Sequence, residues 1–439
     1  MAKSAQKTRP RRTPALPPFP VEEAVLDNGL KVRLLPNHDA PVVSLYTFYR
    51  VGSRNERPGI TGISHLFEHM MFNGAKKYGP KEFDRVLESH GGRSNAYTSN
   101  DLTVYYDDFA TEALAKVFDL ESDRMRSLSI TDSTLTSERE VVKEERRLRV
   151  DNEVLGLMDE ELSTLVFRAH PYRWPVIGWM EDINAIQRED CEQYFRTYYA
   201  PNNATLYLAG DFEPKATLAL VRKYFGNIKR GPSAPPVVNA EPAQLGERRA
   251  AITYPAQAPS LLMGYRGPAG HEPDALVLDV LQFALSVGDS SRLNKELVYG
   301  QQLVVSVAMD WGWRIDPGLV MFFVELKPDS DVKAVEEALT AQIAHVATHG
   351  LSDRELAKAK NNLKAHLMRE LATNNGRAHA LGSYEQYLGD WREAFRLPER
   401  YDRVTSEQVR QAAVTFLAPD KRSVVTLRPK GGALEEVAA

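Results

Sequence analysis

The sequence predicts an α+β fold of two homologous halves, each a mainly antiparallel sheet with helices packed on one face, joined by a linker. Three observations carry this expectation. Gly231-Pro232-Ser233-Ala234-Pro235-Pro236, followed by Glu241-Pro242 and Gly246, is a proline-rich interior stretch without helical patterning, and it separates two segments of similar length. Each segment opens with β-branched and aromatic runs and continues with helix-forming ones. Their closings also correspond: a helix over 190–199, Ala200-Pro201-Asn202-Asn203 and a strand over 204–208 are echoed by a helix over 404–417, Ala418-Pro419-Asp420 and a strand over 423–427. The boundaries that follow are a tail over 1–21, a first half over 22–230, a linker over 231–247, a second half over 248–430 and a tail over 431–439.

In chain order, the first segment carries Lys3, Lys7, Arg9, Arg11 and Arg12 with no acid before Glu22, then Pro14, Pro17, Pro18 and Pro20. It lacks the apolar core of a secretory signal, and its proline density opposes an amphipathic helix, so a disordered tail is expected. Strands are expected at 30–35 and 42–49. His65-Leu66-Phe67-Glu68-His69 follows. In a helix turning about 100° per residue, His65 and His69 share one face, one turn apart, with Glu68 beside them. Two neutral imidazoles at that spacing suit Zn²⁺, a third protein ligand completes the set, and the nearby glutamate can deprotonate a water in the fourth position. Ile63, Leu66, Phe67, Met70 and Phe72 give the segment apolar surface, Ser64 is the expected N-cap, and Asn73-Gly74 ends it. The alternative is a pair of ordinary core histidines, which fixed spacing around a carboxylate disfavours.

Residues 93–98 and 102–106 read as a hairpin whose outer edge can offer backbone N–H and C=O groups to an extended peptide, with Asn100-Asp101 near the turn. An ordinary protected edge is the competing reading. Glu138-Arg139-Glu140-Val141-Val142-Lys143-Glu144-Glu145 supplies the third ligand. As a helix it nearly eclipses Glu138 and Glu145, seven apart, while Glu144 points away. Glu145 is therefore the expected metal ligand, and Glu138 a group that hydrogen-bonds a ligand or the metal-bound water. A solvated helix of Glu–Arg pairs is the alternative.

With these residues in view, the chain resembles the pitrilysin family of inverted zinc peptidases. The likeness rests on His-x-x-Glu-His, on Glu138 and Glu145, on Gly91-Gly92-Arg93-Ser94-Asn95-Ala96-Tyr97-Thr98 and on Tyr198 with Ala200-Pro201-Asn202-Asn203, and it spans about 22 to 430. It implies that His65, His69 and Glu145 bind zinc, that Glu68 is the general base and that Glu138 supports the site. It also implies that Asn95 and Ala96, with Tyr97 beside them, form the substrate-binding edge, and that the two halves face each other across a cavity. Relatives that bind peptide with the second half carry an Arg and a Tyr seven apart. In the stretch resembling that one, this chain has Val298 and Val305, with Arg292 and Tyr299 nearby. The expectation is a heterodimer in which a related non-catalytic subunit supplies the pair, a homodimer being less favoured.

The second half repeats no metal motif: Leu276, Asp279 and Val280 fall opposite His65, Glu68 and His69 by hydrophobic phase. His345 and His349 are four apart near Gly350, but Thr348 stands where a base would be needed. Composition agrees with a soluble globular protein of 439 residues, 43% hydrophobic and 26% charged. A net charge of -4 argues against nucleic acid. The most apolar run, 275–287, is too short and too interrupted to span a bilayer. A cytoplasmic location is expected, or a periplasmic one if a signal was removed. Cys191, the only cysteine, permits no intrachain disulfide. With no Gly-x-x-x-x-Gly-Lys anion cradle, an amide substrate is favoured over a phosphoryl one. The expected function is a zinc metalloendopeptidase acting on peptides. Presequence processing of the mitochondrial type, a non-enzymatic scaffold and a metal-storage module are the alternatives.

Overall fold

The computed structural model describes residues 19–430 except Asn239 and Asp329. The tail expected over 1–21 therefore lies outside the described residues up to residue 18, and that over 431–439 lies outside them wholly.

The strands are β1 (Glu22–Val25), β2 (Lys31–Pro36), β3 (Val42–Tyr49), β4 (Arg93–Thr98), β5 (Thr103–Ala110), β6 (Ala204–Gly210), β7 (Arg248–Tyr254), β8 (Ser260–Arg266), β9 (Val304–Trp311), β10 (Leu319–Leu326) and β11 (Ser423–Pro429). The helices of the first half are α1 (Ile63–Met70), α2 (Glu82–Ser89), α3 (Leu114–Ser127), α4 (Asp132–Arg146), α5 (Val154–Val166), α6 (Met180–Ala185), α7 (Arg188–Tyr198) and α8 (Pro214–Phe225). Those of the second are α9 (Pro273–Ser286), α10 (Val332–His349), α11 (Asp353–Glu370), α12 (Asn374–Leu388), α13 (Glu393–Arg403) and α14 (Ser406–Phe416). Among the described residues, 226–247 form neither helix nor strand.

Two sheets result, ordered β1-β2-β6-β3-β5-β4 and β7-β11-β8-β10-β9. Every pairing is antiparallel except β2 with β6 and β7 with β11. Without β1, the two orders match strand for strand, parallel pair included. The fold is thus a duplication, and the repeated helix–proline–strand closing is its trace in the sequence.

Each sheet packs its own half's helices on one face. In the first, Val32, Leu34, Leu45, Tyr105, Leu206 and Leu208 share a core with α1 to α4, α7 and α8. The opposite face of each sheet is covered by the other half. Met158, Leu162 and Val166 of α5 pack on Leu262, Val425 and Leu427 of the second sheet. Ala378 and Leu381 of α12 pack with Tyr46, Phe48 and Tyr207 of the first. The sequence reading placed helices on one face only; this crossing is invisible locally, because α5 is an ordinary amphipathic helix and α12, which buries Ala378, Ala380, Gly382, Glu385 and Gln386 beside Leu381, has no apolar stripe. It does explain why β6 is buried at all seven residues: a strand covered on both sides needs a continuous apolar run rather than alternation.

The crossings are close. A Cβ on Gly382 of α12 would fall 2.1 Å from a Phe48 ring carbon, and one on Gly264 of β8 would sit 3.0 Å from Leu162. Polar bonds reinforce them: buried Glu385 of α12 accepts from Arg33 Nη2 at 2.9 Å and from the Tyr207 hydroxyl. At the hairpin turn, buried Asp101 accepts from Tyr172 at 2.7 Å and from the N–H of Ile315 in the second half at 3.0 Å. Among the described residues, no helix is long and apolar enough to cross a membrane.

Candidate metal centre

The motif lies on α1, as its periodicity requires, but Ser64 does not cap it. The N-cap is Gly62, left-handed at φ 87°, and a Cβ there would lie 2.3 Å from the Ile177 carbonyl oxygen. The helix therefore begins two residues earlier than a Ser64 cap allows. Its free N–H groups are met by Glu56, which accepts from Gly62 at 2.9 Å and from Ser64 at 2.8 Å, while the Ser64 hydroxyl meets Tyr194 at 2.6 Å. Burial pushes the Glu56 carboxyl up to about 8 against those two bonds.

Helix α4 lies across α1 and delivers the carboxylates. Glu145 Oε2 is 3.6 Å from His65 Nε2 and 3.3 Å from His69 Nε2, and the three donor atoms all lie within 4.8 Å of one another. Tetrahedral zinc with bonds of about 2.1 Å separates its ligand atoms by roughly 3.4 Å, so the set fits this ion in both chemistry and spacing. Glu138 Oε2 is 3.5 Å from His69 Nδ1, the placement that fixes the tautomer leaving Nε2 for a metal. Among the described residues, His65 Nδ1 is buried without a hydrogen-bond partner. Glu144 points to solvent and pairs with Arg147, as the helical phase predicts.

Electrostatics follow from this packing. Burial and the neighbouring His69 lower His65 to about 4. Burial would lower His69 too, but hydrogen bonding to Glu138 and Glu145 outweighs it and raises the ring to about 9. The same bonds hold Glu138 and Glu145 below the usual carboxylate range. Burial raises Glu68, opposed by a hydrogen bond from Thr98.

The edge strand lies where the hairpin reading put it. Among the described residues, strand β4 ends the first sheet and pairs only with β5. The Asn95 side-chain oxygen accepts the Ala96 N–H at 2.8 Å. Ala96 packs toward the first half's core, on the metal side, whereas the Tyr97 ring lies 6.0 Å from His379 of α12. Period-two alternation thus joins Ala96 and Thr98 to the site and turns Tyr97 away from it. Sequence reasoning passed over Thr98 and Glu56; Thr98 was legible by alternation from Ala96, but Glu56 depends on loop geometry that carries no periodic signal.

The other candidates form no second centre. His345 Nδ1 meets Arg292 at 2.6 Å, and among the described residues His65, His69 and Glu145 are the one group of three able to share an ion. Asp279, matched to Glu68 by hydrophobic phase in the sequence, is buried and accepts from Trp311, Trp313 and Tyr401 at 3.0, 3.1 and 2.7 Å. Burial brings it to about 7. Arg292 is held by Glu355 at 2.8 and 2.7 Å, Val305 is exposed and Val298 is partly buried in the second half's core.

A duplicated α+β architecture carrying one inverted His-x-x-Glu-His centre defines the class. The model of the insulinase family, peptidase family M16, matches residues 31–178, and that of the peptidase M16 inactive domain matches 185–363. A zinc protease, PqqE, from Helicobacter pylori is 31% identical over 412 residues, covering 91% of this chain and 93% of that protein. This chain belongs to peptidase family M16. A probable mitochondrial-processing peptidase subunit beta of Arabidopsis thaliana is 24% identical, covering 92% of this chain and 77% of that protein. The crystal structure of a protease from Helicobacter pylori superposes with a TM-score of 0.90 at 29% identity, covering 93% of this chain and all of that one. An M16-like peptidase from Alicyclobacillus acidocaldarius shares the fold, with a TM-score of 0.83 at 20% identity and coverage of 94% and 99%.

Proposed function

We propose that this chain is a zinc metalloendopeptidase and the catalytic subunit of a heterodimer. The observation that carries the reading is the convergence of one ligand atom each from His65, His69 and Glu145 within 4.8 Å, with Glu68 next to His69 on the same helix and the edge strand β4 beside it. His65, His69 and Glu145 would hold the ion. Bound zinc supplies a Lewis acid that polarises the scissile carbonyl and acidifies water. Glu138 orients His69. Glu68 takes the proton of the attacking water and delivers it to the leaving amine nitrogen. The edge of β4 at Asn95 and Ala96 aligns an extended peptide by backbone pairing; Tyr97, facing α12, contributes only through that backbone.

The missing Arg–Tyr pair supports a partner subunit. Val298 and Val305 offer no side-chain donor, and Arg292 is committed to Glu355. The test is metal content and hydrolysis of an internally quenched peptide, measured on the chain alone and with a co-purified relative. Zinc near one per chain, with turnover restored by the partner, is expected. Full turnover by an isolated monomer would remove the heterodimer, and a zinc-free inert chain would favour the scaffold alternative. Presequence processing is the narrower alternative, distinguished by preference for basic peptides.

A further inference from the structure

Resting on that reading, we propose that Thr98 is a positioning residue that dedicates one oxygen of Glu68 to proton transfer. Its hydroxyl donates to Glu68 Oε2 at 2.6 Å, and among the described residues this is the one hydrogen bond made to that side chain. A glutamate carboxylate otherwise turns freely about its last bond and presents either oxygen. A hydroxyl on Oε2 fixes the plane and leaves Oε1 as the basic atom. The arrangement serves both directions of the shuttle. When Oε1 has gained the proton from water, Oε2 becomes the carbonyl-like oxygen and still accepts from Thr98, so the proton stays on the atom that must return it to the amine.

The donor is held on a rigid support. Thr98 is the last residue of β4, paired with Thr103 of β5. The turn beyond it is fixed from two sides: Ser53 and Arg54 donate backbone N–H groups to the carbonyls of Ser99 and Asn100 at 3.2 and 2.8 Å, and Asp101 binds Ile315. Gly52 leaves no room for slippage, since a Cβ there would lie 2.4 Å from the Ser99 carbonyl oxygen. On the reverse face, Tyr97 packs against His379 of α12. The second half thereby braces the strand that sets the base. Because Ala96 lies two residues before Thr98 on the same strand, a peptide paired to this edge is registered against Glu68 by the strand that orients it.

The test compares Thr98→Val, which keeps shape and removes the donor, with Thr98→Ser, which keeps the donor. Valine should lower kcat about tenfold or more, part of the roughly 10²–10⁴ contributed by a general base, with KM within about twofold and zinc content unchanged. Serine should restore most of it. In crystals of the zinc-loaded Thr98→Val protein, Glu68 should occupy a second rotamer, a readout independent of turnover. Wild-type kcat in the valine variant, no rescue by serine, or a Glu68 carboxylate left in place would overturn the proposal. Undiminished turnover in Glu68→Gln would instead remove the peptidase reading beneath it.

Discussion

The metal-free centre should hold a proton that zinc must displace, and this makes zinc affinity depend on pH in a defined way. Burial and the neighbouring imidazole bring His65 to about 4, so it is already neutral at pH 7. Glu145, hydrogen-bonded to His69, is held below the usual range and is already ionised. His69 alone is protonated, raised to about 9 between Glu138 and Glu145. Removing that proton at pH 7, two units below, costs about 3 kcal/mol, or about 100-fold in apparent affinity. Raising the pH removes the competitor, so affinity should climb about tenfold per unit from about pH 6.5 to 9 and then level off. The assay is competition with a chromophoric chelator at several pH values, paired with calorimetry in two buffers of different ionisation heat. About one proton should be released per zinc at pH 7. Affinity that is flat from pH 7 to 9, with no proton released, would refute the placement of His69 between two ionised carboxylates.

Other outcomes follow from the same geometry. Glu68→Gln should retain zinc while turnover falls about 10²–10⁴-fold, measured by metal analysis and steady-state kinetics. His65→Ala and Glu145→Gln should each lose both zinc and hydrolysis, since three protein ligands are the minimum for a catalytic site. Without metal, the raised His69 stabilises the fold fully below its ordinary value of 6.5, and that contribution should fade as pH rises through about 9, visible in chelator-treated protein by urea unfolding. Gly382→Ala should destabilise by about 1–3 kcal/mol or more in thermal unfolding, because the new methyl would enter the Phe48 ring.

The parts of the molecule legible in sequence were those written in short-range periodicity. His65, Glu68 and His69 lie in five consecutive residues, so one helical turn determines their relation. The choice of Glu145 over Glu144 needed only helical phase, and β3 was bounded by its own apolar run. What could not be read was set by distant segments. Ser64 is a good cap by residue type, yet the left-handed Gly62 and the carboxylate of Glu56 took that role. Tyr97 sits in the edge motif, but whether it faces the metal or α12 is decided by a register fixed elsewhere. Helix α5 announces an apolar stripe without naming the sheet that receives it, and α12 buries small and polar residues that announce no stripe at all.

That exchange of equivalent helices has a consequence for how the polypeptide can be divided. A cut in the irregular segment near residue 240 would leave each fragment with a sheet bared on one side and a helix with nothing to lie on. Neither piece is then a self-sufficient folding unit. Co-expressed, the two should clasp by mutual insertion, and strand-count alone would misjudge them as independent modules.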